Sequence, residues 1–183
     1  MRIIAGTHKG RKLFSLPGKE TRPTSGKVRE AIFSICTGLV ADANVLDLFA
    51  GTGAFGLEAI SRGAATAVFV DSDRQGIEVI RKNVAACGAG DRTHVCCTDI
   101  QAGLNPVAAT GISFDVVFMD PPYKSRAVRP ALENLARTPV MKKGAIIIVE
   151  HGPYEEIPTD ITGMEVIDRR KYGKTLVTFF RWR

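Results

Sequence analysis

The stretch Val45-Leu46-Asp47-Leu48-Phe49-Ala50-Gly51-Thr52-Gly53-Ala54-Phe55-Gly56 decides the fold. Val45–Phe49 reads as a short apolar strand, and Ala54–Arg62, ending at Gly63, as the helix that follows it. The turn between them is rich in glycine, which lets backbone pass close to a ligand because it has no Cβ. The N–H groups at the start of the helix favour an anionic group there. Gly51-x-Gly53-x-x-Gly56 matches the dinucleotide fingerprint, and Asp71, about 20 residues after Gly51, falls where a ribose-binding carboxylate is expected. The pattern predicts an adenosine-containing cofactor, held by Phe49, Ala50, Gly51 and Gly53 in the turn and by Asp71 beside it. Which cofactor turns on Asp47, at the end of the strand. A carboxylate there suits a ligand carrying an ammonium and a sulfonium, and is of less use beside a pyrophosphate. Asp99, just beyond the third strand, could accept from an adenine amino group or equally cap a helix.

Outward from this stretch, strands and helices alternate. Ala67–Val70, Thr93–Cys97, Phe114–Met119 and Ala145–Val149 read as further strands, with helices over Arg74–Cys87 and Ala127–Arg137. Continuous apolar strands separated by helices predict a parallel sheet covered on both faces. Met164–Lys171 and Thr175–Arg181, around Tyr172-Gly173-Lys174, read as an antiparallel hairpin at the sheet edge. Before the first strand, Arg2–Gly6 and Arg11–Leu16 read as two short strands joined at His8-Lys9-Gly10. A helix then starts near Thr24, with Val28, Ala31, Ile32, Ile35 and Leu39 along one face. The expected organisation is a basic extension over residues 1–42 and an α/β domain over 43–183.

The most specific signal is Asp120-Pro121-Pro122-Tyr123, directly after the strand Phe114–Met119. Two prolines fix the backbone and hold Asp120 at the carboxyl edge of the sheet, beside the glycine loop. An exocyclic base amine is a poor nucleophile because its lone pair is delocalised into the ring. Asp120 can accept one of its N–H groups and the Pro121 carbonyl the other, favouring a pyramidal nitrogen whose lone pair points at a methyl donor. Tyr123 offers a flat face for a base taken out of its stack. The loop alone does not distinguish a guanine from an adenine amine.

Charge adds a polyanionic partner. Residues 1–40 carry eight Lys or Arg against Glu20 and Glu30, whereas the rest of the 183 residues carry seventeen of each sign. Lys9, Arg11, Lys12, Arg22 and Arg29 are the candidates for phosphate contact, although Arg29 also fits an ordinary exposed helix position. His8 reads as a turn residue. Cys36, Cys87, Cys96 and Cys97 lack the spacing of a metal site and read as reduced thiols of a cytoplasmic protein. No apolar run reaches the length of a membrane span, and no signal-peptide pattern opens the chain. Nothing in the pattern demands more than a monomer.

With these residues in view, the chain resembles the RsmD-like 16S ribosomal RNA (guanine-N2) methyltransferases. The resemblance runs through Arg2-Ile-Ile-Ala-Gly6, Lys9-Gly-Arg-Lys-Leu13, Arg22-Pro-Thr24 and Val28-Arg-Glu-Ala-Ile-Phe33. It continues in Leu46–Gly53, Gly56-Leu-Glu-Ala59, Asp120–Tyr123 and Tyr172-Gly-Lys-Thr175. It implies a Rossmann-like class I methyltransferase fold of the α/β class, with a mostly parallel seven-stranded sheet, a C-terminal antiparallel hairpin and a small basic N-terminal extension. It also implies S-adenosyl-L-methionine as cofactor and a guanine of 16S rRNA, in the free RNA or the small ribosomal subunit, as substrate. Asp47, Gly51, Gly53, Asp71 and Asp99 would then hold the cofactor, and Asp120 to Tyr123 the guanine. The alternatives are an adenine N6 methyltransferase acting on DNA or another RNA, a nicotinamide-dependent oxidoreductase, and a non-catalytic RNA-binding protein.

Overall fold

A computed structural model describes residues 1–15, 24–122 and 126–183, without the side chains of Thr24 and Ser25. The expectations for Arg22 and Tyr123 fall outside these residues. The described chain runs α1 (Thr24–Ile35), β1 (Asn44–Leu48), α2 (Ala54–Ser61), β2 (Thr66–Asp71), α3 (Arg74–Ala86) and β3 (Thr93–Cys97). It continues through α4 (Asn105–Ala108), β4 (Phe114–Met119), α5 (Val128–Arg137), β5 (Met141–His151), β6 (Met164–Tyr172) and β7 (Thr175–Trp182). The seven strands form one sheet in the order β3-β2-β1-β4-β5-β7-β6. The first five are parallel, and β7 and β6 are antiparallel additions.

Successive side chains on a strand point to opposite faces, so each apolar run serves two cores at once. Val45, Phe69, Val116, Phe118, Ile146 and Ile148 pack on the face covered by α1, α2 and α3. Leu46, Leu48, Val68, Val70, Val117 and Ile147 pack on the face that carries α5 with Leu132 and Leu135. Gly56 is where α2 meets the sheet most closely. A Cβ on Gly56 would lie 2.3 Å from the Phe69 ring, so packing requires glycine there, while at Gly53 a left-handed backbone (φ 75°) adds to a tight 3.2 Å approach to the same ring.

The N-terminal arm departs from expectation. Arg2 and Lys12 form only an isolated antiparallel bridge, not a pair of strands. Ile3, Gly10 and Leu13 N–H groups still donate to carbonyls across the arm, while those of Ile4, Ala5 and His8 find side chains of α2. Glu58, fully buried, accepts from Ile4 N at 2.7 Å and Ala5 N at 3.0 Å. The Ser61 hydroxyl accepts from His8 N, and its carbonyl from Thr7 N. Helix α1 also differs, ending at Ile35. Its buried face is Val28, Ile32, Phe33 and Cys36, while Ile35 and Leu39 are exposed. The short α4 and the early start of β5 at Met141 were not foreseen.

Arg29 is the main correction to the basic arm. Its side chain is 2% exposed, donates to the Arg2 carbonyl at 2.6 Å and lies 4.0 Å from Glu58. Glu58 also accepts from Arg62 Nε at 2.8 Å, and Arg62 covers the Phe33 ring. Arg29 is thereby removed from any surface that meets phosphate. It ties α1, the arm and α2 together.

Two outcomes follow for stability. Glu58→Ala strands two N–H groups and a buried guanidinium, so a loss of about 3–5 kcal/mol is expected. The measurement is the urea midpoint at unchanged slope; a loss below about 1 kcal/mol would mean that the arm is held elsewhere. Gly6 (φ 80°) and Gly10 (φ 82°) are both left-handed, but a Cβ on Gly6 would lie 1.7 Å from the Ser61 carbonyl oxygen, whereas Gly10 faces open space. Gly10→Ala is expected to cost about 1–2 kcal/mol, and Gly6→Ala clearly more.

Candidate active site

The sheet order reverses between β1 and β4: the chain steps from β1 through β2 to β3, then returns to the other side of β1. Ligands of open α/β sheets bind in the crevice at such a switch point, outside the carboxyl ends of the strands. Leu48 is in register with Val70 on one side and Met119 on the other. With strands about 4.8 Å apart, Phe49, Asp71 and Asp120 therefore meet at one edge.

The glycine loop is fastened by carboxylates. Asp71 accepts from Gly51 N at 2.7 Å through one oxygen and from Asp73 N at 2.9 Å through the other. Asp47, 2% exposed, accepts from Gly56 N at 2.9 Å and so satisfies one of the open donors of the first turn of α2. The loop crosses left-handed backbone at Phe49 (φ 60°), Gly51 (φ 56°) and Gly53 (φ 75°). For Phe49, which has a Cβ, this conformation is strained, and such strain clusters at functional sites. Ala50 N closes onto the Val70 carbonyl, holding the turn against β2.

Asp47 is more buried than a carboxylate expected to meet a ligand directly. Burial pushes its carboxyl well above the usual range. The Gly56 N–H opposes this, and the neighbouring charges of Asp120 and Asp71 add to it. Three carboxylates thus share one small region. Asp99 stands at the same edge, because Thr98 N donates to the Asp71 carbonyl. It is exposed, and its side chain caps the turn by accepting from Gln101 N at 2.9 Å.

At the end of β4, Asp120 is half-buried, Pro121 buried and Pro122 exposed. Behind them Phe118 stacks on Phe55 at 5.0 Å between centroids and packs on Phe33 at 5.1 Å. Phe55 occupies a variable position of the glycine pattern, so no sequence signal singles it out. On the neighbouring strand Met119 is in register with Val149, which brings buried Glu150 and His151 to the same edge. His151 contacts the Gly152 carbonyl through Nδ1 and the Thr178 hydroxyl through Nε2, an arrangement that assigns the proton to Nδ1. Burial lowers its pKa.

The basic residues of the arm lie elsewhere. Lys9, Arg11 and Lys12 are exposed. Arg11 donates to the carbonyl of Ala86, the last residue of α3, and His8 is bonded to Ser61, the last residue of α2. Helix α3 has 13 residues and begins just after Asp71. Both contacts lie at the helix ends opposite the carboxyl edge, although Asn83, three residues before Ala86, links Phe14 of the arm to the Thr52 carbonyl of the glycine loop.

A family model described as conserved hypothetical protein 95 matches residues 1–181. YlbH of Bacillus subtilis (strain 168) is 32% identical over 183 residues, covering all of both chains. The ribosomal RNA small subunit methyltransferase D of Escherichia coli (strain K12) is 35% identical over 159 residues, 87% of this chain and 78% of that protein. The solved structure of yhhF from Escherichia coli superposes with a TM-score of 0.87 at 31% identity, covering 100% of this chain and 98% of that one. Over nearly its whole length, then, the chain belongs to the conserved hypothetical protein 95 family, the RsmD family of methyltransferases that its motifs resemble.

Proposed function

We propose that this protein is an S-adenosylmethionine-dependent methyltransferase acting on ribosomal RNA of the small subunit, at the exocyclic N2 amine of a guanine in 16S rRNA. One observation carries the choice of cofactor: the carboxylates of Asp47, Asp71 and Asp120 converge on the crevice, and the Gly51 N–H is already bonded to Asp71. A pyrophosphate would meet repulsion there and would lack that loop donor, whereas a cationic ligand is attracted. This weighs against a nicotinamide cofactor. The glycine backbone supplies room for an adenosine, with Asp71 and Asp99 as acceptors for ribose and adenine. S-adenosylmethionine, when bound, supplies a methyl group activated by a sulfonium.

The residues of the chain do the rest by position. Asp120 and the Pro121 carbonyl accept the two N–H groups of the base amine and turn its lone pair towards the methyl group. The nitrogen becomes acidic once methylated, and its extra proton passes to Asp120 or to water. Phe118 and Phe55 back this edge and restrict its freedom. The relative named as a small-subunit rRNA methyltransferase supports rRNA as substrate. The guanine amine rests on the family resemblance, since adenine poses the same chemical problem.

The primary test supplies methyl-labelled S-adenosylmethionine and small ribosomal subunits lacking base methylation, then digests the rRNA to nucleosides. Label is expected in N2-methylguanosine; label in N6-methyladenosine, or only in added duplex DNA, would overturn the substrate. Asp120→Ala is expected to lower kcat by about a hundredfold or more with cofactor affinity little changed. Near-normal turnover would remove Asp120 from the mechanism.

Asp47 gives a pH-dependent outcome. Its folded pKa is raised, so its contribution to stability falls as pH rises from the unfolded carboxylate value, about 4, through the folded one. Asparagine keeps an oxygen for the Gly56 N–H without the charge. Asp47→Asn is therefore expected to melt higher than the parent at pH 8, with the advantage shrinking towards pH 4. It should also bind S-adenosylmethionine roughly tenfold or more weakly. Equal melting at every pH would mean that the buried carboxylate is not under strain.

A further inference from the structure

We propose that the tip of the β6–β7 hairpin, through Lys171 and Lys174, grips the phosphates next to the target base. The proposal rests on the reading of the protein as an rRNA methyltransferase. It starts from the place of the arm: Arg11 is bonded to the last residue of α3 and His8 to the last residue of α2, the ends of those helices that face away from the carboxyl edge. Asp120 stands at the opposite end of the sheet, after the carboxyl end of β4. The nucleotides flanking a base held at Asp120 must be held by something nearer.

The hairpin supplies it. β7 runs antiparallel to β5, with His151 in register with Leu176, and Leu176 in register with Lys171. The turn Tyr172–Thr175 therefore projects from the carboxyl edge, the edge that carries Asp120. In the strand order only β5 separates β7 from β4, so the tip begins about 10 Å from the strand that ends in Asp120. That distance is within one or two nucleotides of a bound base.

The charge fits phosphate. Asp168–Lys174 holds Arg169, Arg170, Lys171 and Lys174 against one carboxylate, and that carboxylate is bonded to Arg170 Nε at 2.7 Å. Among the described residues no carboxylate forms an ion pair with Arg169, Lys171 or Lys174, and all three side chains are exposed. Tyr172 is half-buried against the core and anchors the tip. Lysines on a rigid two-stranded ribbon make adaptable point contacts that position RNA without reading its sequence.

The test compares Lys171→Ala/Lys174→Ala with the parent and with Arg137→Ala, a cation at the last turn of α5. Arg169 is left intact because its charge reaches the buried His151. Filter binding of 16S rRNA transcript over a range of KCl gives affinity and salt slope, and methyl transfer to unmethylated small subunits gives kcat and KM. The double variant is expected to lose about 1.4–1.8 from the slope of log affinity against log salt. Its KM for the subunit should rise tenfold or more, with kcat within twofold and S-adenosylmethionine affinity unchanged, while Arg137→Ala follows the parent. An unchanged slope and KM would overturn the proposal. If the parent bound the transcript but methylated no rRNA, the functional reading would fail, and the slope of the double variant would still decide whether the hairpin holds RNA.

Discussion

The hydrogen bond from the Gly51 N–H to the Asp71 carboxylate is the contact on which the rest of the site depends. It joins the loop after β1 to the end of β2, and Asp47 makes the matching contact to Gly56 one turn into α2. Together they place the start of α2 against Phe69, which is possible only because Gly56 has no Cβ. Both fasteners are carboxylates, so the same bonds that set the geometry also fill the crevice with negative charge. Asp120 arrives from β4 and adds to it. Shape and electrostatics at this edge are therefore one property.

Most of the fold was legible because its signals are local. Largely apolar runs mark β1, β2 and β4, since parallel strands are buried on both faces. The glycine-rich turn after β1, the prolines after Asp120 and the Tyr172-Gly173-Lys174 turn are each marked by residue types within a few positions. What escaped the sequence depends on partners far along the chain. The arm looked like paired strands, and Ile3, Gly10 and Leu13 do bond across it, but the N–H groups of Ile4, Ala5 and His8 are taken by Glu58 and Ser61, more than 50 residues away. Arg29 looked like a surface cation because its counter-charge lies on another helix. Likewise, a charge count over the whole C-terminal part averages the cations of Arg169–Lys174 against acids elsewhere and hides them.

The buried Arg29–Glu58 pair explains why the N-terminal segment is inseparable from the domain it precedes. Ile3, Leu13, Val28 and Ile32 share a core with Val45, Leu57 and Phe69. Glu58 accepts from two backbone donors of the arm and from Arg62, and Arg29 donates to the Arg2 carbonyl while its buried Nε has no hydrogen-bond partner among the described residues. A buried charge pair of this kind adds little net stability compared with an apolar pair of the same shape, but either half alone is costly. Its effect is to specify: the arm has one place to dock, across the far ends of α2 and α3. That docking carries Lys9 and Arg11 away from the catalytic edge.

Under the proposed reading, the distribution of charge settles how an RNA can approach. A crevice edged by Asp71 and Asp120, with Asp47 buried beneath it, attracts a sulfonium and repels phosphate, so the backbone of the substrate cannot follow its base inward. A base is neutral. Taken out of its stack, it can cross into the negative region and present an amine to Asp120, leaving its own phosphates outside. The cations are arranged to suit that separation, on the rim at Lys171 and Lys174 and further away at Lys9 and Arg11. Moving them into the crevice would neutralise the carboxylates and weaken the hold on the cofactor. Acid at the centre and base at the rim is thus the charge pattern that binds a cation and a polyanion on one surface and lets only the uncharged part of the polyanion reach the methyl group.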